Sequence, residues 1–279
     1  MNILKTLTGL LPRVAIGAAL LAAGLAGAAP TATPGTLVVG SDMTYPPYDF
    51  MEGGQPAGFD AEFVKALSAH LKVSYKFTDT RFANLILGLV GGRYDLIASA
   101  LYVTPERAKT LDFIPYFMTG GALMVNAKSS FKPTAVAELC GKRVGSLKGA
   151  AWVPMLREVS EKTCVSAGKG AITVQEYDTS SESAQALLSN AVDAQYDDAG
   201  VAKMISSKLN GRVVLTNAAT LNAVVCGLAV KKGNDELKGA VTQAFAAMKT
   251  SGEYQALLKK YNLAEPSAAE VAKALGTSN

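Results

Sequence analysis

Histidine is almost missing: His70 is the only one in 279 residues, and no C-x-x-C pair accompanies it. A metal centre built on imidazoles or paired thiolates is therefore not expected. The chain also lacks the Gly-x-Ser-x-Gly turn of serine hydrolases and any phosphate-cradling glycine loop. With 27 Lys and Arg against 23 Asp and Glu, the net charge is only +4, and no basic run is interleaved with aromatics. That excludes a nucleic-acid footprint. Two of those positive charges, Lys5 and Arg13, lie in the leader, so the remainder is nearly balanced. Long apolar runs are scarce as well. The apolar stretch at 14–29 falls short of the ~20 residues that cross a bilayer. Preceded by Lys5 and Arg13 and ending near Ala26-Gly27-Ala28, it reads as a cleaved signal peptide, residues 1–28. A membrane anchor is the alternative. No cysteine stands near the cleavage region, so a lipid-anchored form is not expected.

The three cysteines are Cys140, Cys164 and Cys226. An exported chain meets oxidising conditions, in which a pair tends to bridge. Cys140 and Cys164 flank one strand–helix unit and are the expected pair. Cys226 sits in an apolar run and reads as a buried free thiol. Three reduced structural thiols are the other possibility.

What is present is the material of a folded body: 49% hydrophobic and 18% charged residues, with length for two lobes. Strand-like runs alternate with helix-like ones, which predicts an α/β protein with largely parallel sheets. Leu37-Val38-Val39 reads as a buried strand. Asp60 reads as a helix N-cap before Phe59, Phe63, Leu67 and Leu71 at four-residue spacing. Phe82, Leu85, Ile86, Leu89 and Val90 form another helical stripe. A second set of strands and helices follows, closing with periodic helices through Leu237–Met248 and Tyr254–Tyr261. Extended segments near 121–125 and 224–230 bracket a block. If both are crossovers, lobe 2 (123–222) is inserted into lobe 1 (36–122 and 223–262). Paired connections of that kind form a hinge that allows closure. Two tandem domains are the alternative. The tail, 263–279, is expected to be loosely held.

Ligands of open α/β sheets gather at the carboxyl ends of strands, and three segments fall there. The first runs from Ser41 to Tyr48, where Pro46 and Pro47 stiffen a loop carrying Asp42 and Tyr45. The second runs from Ser99 to Arg107. Thr104 and Pro105 read as N-cap and first helical residue, which aims Arg107 back at the strand end. A planar guanidinium fork there suits a carboxylate, although an isolated first-turn Arg is also an ordinary surface charge. The third is Asp197-Asp198, of which one caps the next helix and the other can meet an ammonium group. Together these charges outline a pocket for a zwitterion, one charge from each lobe.

On these residues the chain resembles the polar amino-acid family of ABC-transporter solute-binding proteins, over residues 36–262. The motifs are GSDMTYPPY from Gly40, GFDAEFVKAL from Gly58, TPERAKTLDFIPY from Thr104 and GKRVGSLKG from Gly141. VDAQYDD from Val192 and the closing SGEYQALLKKYNL complete the set. The resemblance implies a type II periplasmic binding protein: two lobes, two hinge crossovers, no cofactor and no catalytic residues. It further implies a monomer in the periplasm that closes on an L-amino acid and delivers it to an ABC permease. By position, Arg107 matches the α-carboxylate clamp and Asp198 the α-ammonium acceptor. Asp42 and Tyr45 match side-chain contacts, and Phe82 the group covering one face of the ligand. Ser99 and Ala100 match the strand end that lends backbone contacts, and the stretch from Leu147 through Ala151 to Trp152 the second-lobe loop.

Two positions depart from that pattern. Tyr102 stands where the family has Ser or Thr, and Gly149-Ala150-Ala151-Trp152 replaces a Gly-Thr-Thr type loop. A helpful hydroxyl is thus missing in each lobe, and each loss is worth ~1 kcal/mol. Tyr102 and Trp152 either narrow the pocket or point into the core. Side-chain preference is ambiguous: Asp42 and Asp197 suggest a polar or cationic ligand, the two aromatics an apolar or small one. A cyclohexadienyl (arogenate/prephenate) dehydratase on the same fold is the enzymatic alternative, with Asp42, Asp197 or Glu182 as acid. A signalling module is the third reading.

Overall fold

The computed structural model describes residues 30–277; the expected signal peptide, 1–28, lies outside them. β1 (Thr36–Ser41) is buried almost end to end, as a central parallel strand must be. A small antiparallel sheet follows, β2 (Thr44–Tyr45), β3 (Asp49–Glu52) and β4 (Gln55–Ala57), which the apolar pattern did not signal. α1 (Phe59–Leu71) buries Phe59, Phe63, Leu67 and Leu71, the four residues of its predicted stripe. Each such side chain contributes about 1.5–3 kcal/mol on burial. Its N-cap is Gly58, not Asp60. Asp60 is turned inward from the first turn, where its carboxylate accepts the Ala100 N–H and the Tyr116 hydroxyl.

β5 (Ser74–Asp79) is an edge strand, and a 3-10 turn at Phe82–Asn84 leads into α2 (Leu85–Val90). After β6 (Leu96–Ile97), the expected helix at Thr104–Pro105 shrinks to a 3-10 turn, Arg107–Lys109. Thr104 Oγ1 still accepts the Arg107 N–H at 3.2 Å, as a cap does. The chain enters β7 (Leu111–Asn126) at once, which leaves no length for a full helix.

β7 is the structural axis. It is followed by β8 (Arg143–Leu147), α3 (Trp152–Val159), β9 (Thr173–Tyr177), α4 (Ser180–Leu188), β10 (Ala194–Asp198) and α5 (Ala199–Lys208). β11 (Val213–Leu215) and β12 (Leu221–Lys231) come next, then α6 (Asp235–Ser251), α7 (Glu253–Tyr261) and α8 (Ala268–Leu275). The sheet order is β5-β1-β6-β12-β7-β10-β8-β9, with β11 also on β7. β7 and β12 run antiparallel from Leu221↔Gly121 to Lys231↔Leu111. One parallel set, β5-β1-β6, lies beyond β12; the other, β10-β8-β9, lies beyond β7. The chain therefore crosses between the two lobes along this antiparallel pair.

α6 and α7 return to pack on α1. Their contact is aromatic: Phe63 meets Phe245 at 5.1 Å, and Phe245 meets Tyr254 at 4.8 Å, both edge to face. In the other lobe, a π-helical turn at Ser160–Val165 brings Cys164 to Cys140, and the two form a disulfide with Cα atoms 5.2 Å apart. Cys226 is a buried free thiol. The tail is not loose. Ser267 and Glu270 form a reciprocal capping box on α8, which lies against β12, and the Met118 N–H bonds Ala264 O at 2.8 Å. Among the described residues no helix is long and apolar enough to cross a membrane.

Candidate ligand-binding cleft between the lobes

Two opposite charges, Arg107 and Asp198, stand along the seam between the lobes, joined through Tyr102, and neither has an ionic partner among the described residues. Arg107 projects from the 3-10 turn of the first lobe. Its Nη1 donates to Tyr102 O at 2.8 Å, and its Nη2 donates across the seam to Gly149 O at 3.1 Å. The guanidinium lies 5.7 Å above the Phe82 ring. Withdrawal from water pushes its pKa down to about 10, which still leaves it charged at neutral pH.

Asp198 ends β10 and is the N-cap of α5, so the residue matched to the ammonium acceptor also caps the helix. Its Oδ1 accepts Gly200 N–H at 2.8 Å and the Tyr48 hydroxyl at 2.8 Å. Its Oδ2 accepts the Tyr102 and Thr119 hydroxyls, each at 2.8 Å. Burial raises its pKa, and the hydroxyls of Thr119, Tyr102 and Tyr48 oppose that rise. Burial first, and Asp198 second, keep the Tyr48 and Tyr102 phenols protonated well above their usual range, so both remain donors.

Tyr102 connects the two charges. Its carbonyl receives Arg107 and its hydroxyl reaches Asp198. Its ring meets Trp152 of the second lobe edge to face at 5.4 Å, and Trp152 Nε1 donates to Ser146 Oγ at 2.7 Å. Both aromatics are buried in the seam. Tyr45, its ring 6.1 Å from Phe82, donates across the seam to Asp197 Oδ1 at 3.2 Å. Gly149, in the positive-φ region at +76°, comes close to Ala83 of the first lobe: a Cβ on it would lie 3.1 Å from Ala83 Cα. Gly200 makes a comparable approach, where a Cβ would stand 2.5 Å from the Tyr48 hydroxyl.

The remaining expected residues take supporting places. Asp42 turns both oxygens into its own lobe, to Thr44, the Phe82 N–H and Arg81. Ser99 Oγ accepts the Asp42 N–H at 3.0 Å. Ala100 holds φ 45°, a left-handed conformation that is uncommon for alanine, with its N–H on Asp60. Leu147 ends β8 and is buried, and Ala151 is the N-cap of α3. Of the candidate acids, Asp197 also accepts the Gln195 amide at 2.9 Å, and burial raises it to about 6. Glu182 is occupied in the capping box of α4 with Thr179. Tyr48, Thr119 and Arg81 were not singled out from the sequence. Tyr48 had a signal, since it closes the same Pro-Pro loop as Tyr45; Thr119 and Arg81 reach the site only through the register of β7 and the turn before Phe82.

The family model described as bacterial extracellular solute-binding proteins, family 3, matches residues 37–264. The L-cystine-binding protein TcyJ of Escherichia coli K12 is 30% identical over 229 residues, 81% of this chain and 82% of that protein. Among solved structures, an ancestral arginine-binding protein bound to arginine superposes with TM-score 0.74 at 31% identity, covering 81% of this chain and 98% of that one. An ancestral amino acid-binding protein, a precursor of cyclohexadienyl dehydratase, superposes with TM-score 0.70 at 28% identity, covering 81% and 95%. The sheet with its two crossovers is the type II periplasmic binding protein fold. The chain belongs to the bacterial extracellular solute-binding proteins of family 3.

Proposed function

We propose that the mature protein is a periplasmic receptor that closes its two lobes on an L-amino acid and delivers it to an ABC-type permease. The observation that carries this reading is the pair of unmatched charges, Arg107 and Asp198, at one seam. A guanidinium with its donors on neutral carbonyls attracts an α-carboxylate, and a carboxylate ringed by hydroxyls accepts an α-ammonium. Expelling water on closure strengthens both contacts. Tyr45, Phe82, Tyr102 and Trp152 wall the ligand, with the Ser99–Ala100 strand end and the Leu147–Ala151 loop beside it. Lobe 1 comprises 36–122 and 223–262, lobe 2 comprises 123–222, and residues 1–28 are removed on export. The names of the cystine- and arginine-binding relatives support an amino acid as cargo.

Titration calorimetry of the mature protein against the twenty amino acids tests this reading. We expect saturable one-to-one binding of at least one of them. Arg107→Ala should cost about 2–5 kcal/mol of that affinity while the fold persists by circular dichroism. Retained affinity in this variant removes the clamp assignment.

The second reading, a cyclohexadienyl dehydratase, is favoured by one feature. Asp197 is buried at the seam and raised to about 6, within the range for acid catalysis near neutral pH. Prephenate turnover followed by absorbance separates the two, and the receptor reading expects none.

A further inference from the structure

Asp42 follows β1 directly, and its Oδ2 accepts the Phe82 N–H at 2.7 Å, the Phe82 ring lying 6.1 Å from that of Tyr45. Its side chain is only 2% exposed and carries a guanidinium against it: Arg81 Nη1 stands 2.7 Å from Asp42 Oδ1. The same Nη1 bonds Thr44 Oγ1 at 2.9 Å, and Nη2 bonds Asp79 Oδ1 at 2.5 Å. Asp79 in turn accepts the Met43 N–H at 3.1 Å. Arg81 is thus held on both sides by the strands that frame the wall. The other acids nearby are engaged as well. Asp197 is taken by Gln195, Tyr45 and the Asp198 N–H. Asp60 is taken by Tyr116 and Ala100, and Asp49 accepts the Ser41 hydroxyl.

We propose that Arg81 is a specificity-determining residue: by cancelling the charge of Asp42 beside Phe82, it restricts the cleft to amino acids whose side chains carry no positive charge. This rests on the amino-acid-binding reading above. A lysine or arginine side chain passing Phe82 meets a cation of its own sign and a carboxylate already neutralised, and burying an unpaired charge is strongly unfavourable. An uncharged side chain meets only the faces of Tyr45, Phe82 and Trp152. The specificity lies in the residue next to Phe82, not in an added or missing acid.

Calorimetry on the wild type, Arg81→Met and Arg81→Lys, each titrated with arginine, lysine and a panel of uncharged amino acids, tests this. The wild type should bind its preferred uncharged amino acid at least about tenfold tighter than arginine or lysine. Arg81→Met, which bares the Asp42 carboxylate, should shift that ratio toward the cationic ligands by about tenfold or more. Arg81→Lys, which keeps the charge, should retain the wild-type order. An unchanged ratio in Arg81→Met overturns the proposal. So does a wild type that binds arginine or lysine tightest, and in that case the amino-acid reading still stands. Should Arg81→Met fail to fold, Arg81→Gln and the wild-type order decide. If no amino acid binds the wild type at all, the amino-acid reading itself is lost, and this proposal with it.

Discussion

Ala100 is the residue at which an uncommon backbone conformation is held by buried partners from distant parts of the chain. It sits at φ 45°, and its N–H is fixed on the buried carboxylate of Asp60. A left-handed alanine costs about 1–2 kcal/mol relative to ordinary backbone, and such conformations persist where the surroundings over-determine them. Here Asp60 and the Cys226 thiol, 3.4 Å from Ala100 O, supply that determination. Glycine adopts the same conformation without the Cβ penalty. Ala100→Gly should therefore leave the free energy of urea unfolding unchanged or raise it by up to about 1 kcal/mol, whereas Ala100→Val should lower it by more. The same logic explains why Asp60 looked like a cap in the sequence. An acid two residues past a glycine at a helix start suits capping on pattern alone, and only the strand end lying beneath it shows its actual partner.

At the scale of elements, the loop from β8 to α3 is built for contact across the seam. Gly149 accepts Arg107 through its carbonyl and brings its own Cα against Ala83. Any side chain at this position meets both a positive φ of 76° and backbone of the opposite lobe. Gly149→Val should weaken ligand affinity about tenfold or more by blocking closure, while the melting of lobe 1 changes little. Calorimetry together with small-angle scattering, which reads the open and closed shapes, checks this; a closed, high-affinity valine variant would refute it. The helices and strands around this loop were largely legible in the sequence, because each presents an apolar face at its own period. α1, α6 and α7 follow the predicted stripes. The exceptions are short elements. The β2–β3–β4 sheet and the 3-10 turn at Arg107 contain too few residues for a period to register.

For the whole molecule, buried carboxylates govern the response to pH. Burial raises Asp60 and Asp197 from 3.8 to about 6 in the folded state. Between those values the folded chain holds protons that the unfolded chain has released. The stabilisation from these groups is complete below about pH 4 and is lost as pH rises through 6. Surface acids act in the opposite sense. Asp193, lowered chiefly by its bond to Arg143, and Glu62, where burial pushes up but the bonds from Lys260 and Tyr261 outweigh it, contribute stability above their unfolded values and lose it in acid. Stability should accordingly peak on the acid side of neutrality. Urea midpoints should fall from pH 5 to pH 7, and a rise over that interval would contradict the assignment.

Alternating apolar periods were enough to determine the α/β class, and the residues at strand ends were enough to single out Arg107 and Asp198 as candidate opposite charges. Cys140 and Cys164 were the expected pair, with three reduced thiols left open, and the structure joins them. Those features depend on spacing along the chain, which a linear pattern preserves. What only the tertiary structure decided is which donors meet which acceptors across long separations. Tyr48 and Tyr102 reach Asp198 over 150 and 96 residues, and Arg81 faces Asp42 from a different strand end. Whether Tyr102 and Trp152 belonged to the pocket or the core was likewise open in the sequence; they lie in the seam itself, because the pairing of β7 with β12 and β10 sets the two lobes face to face.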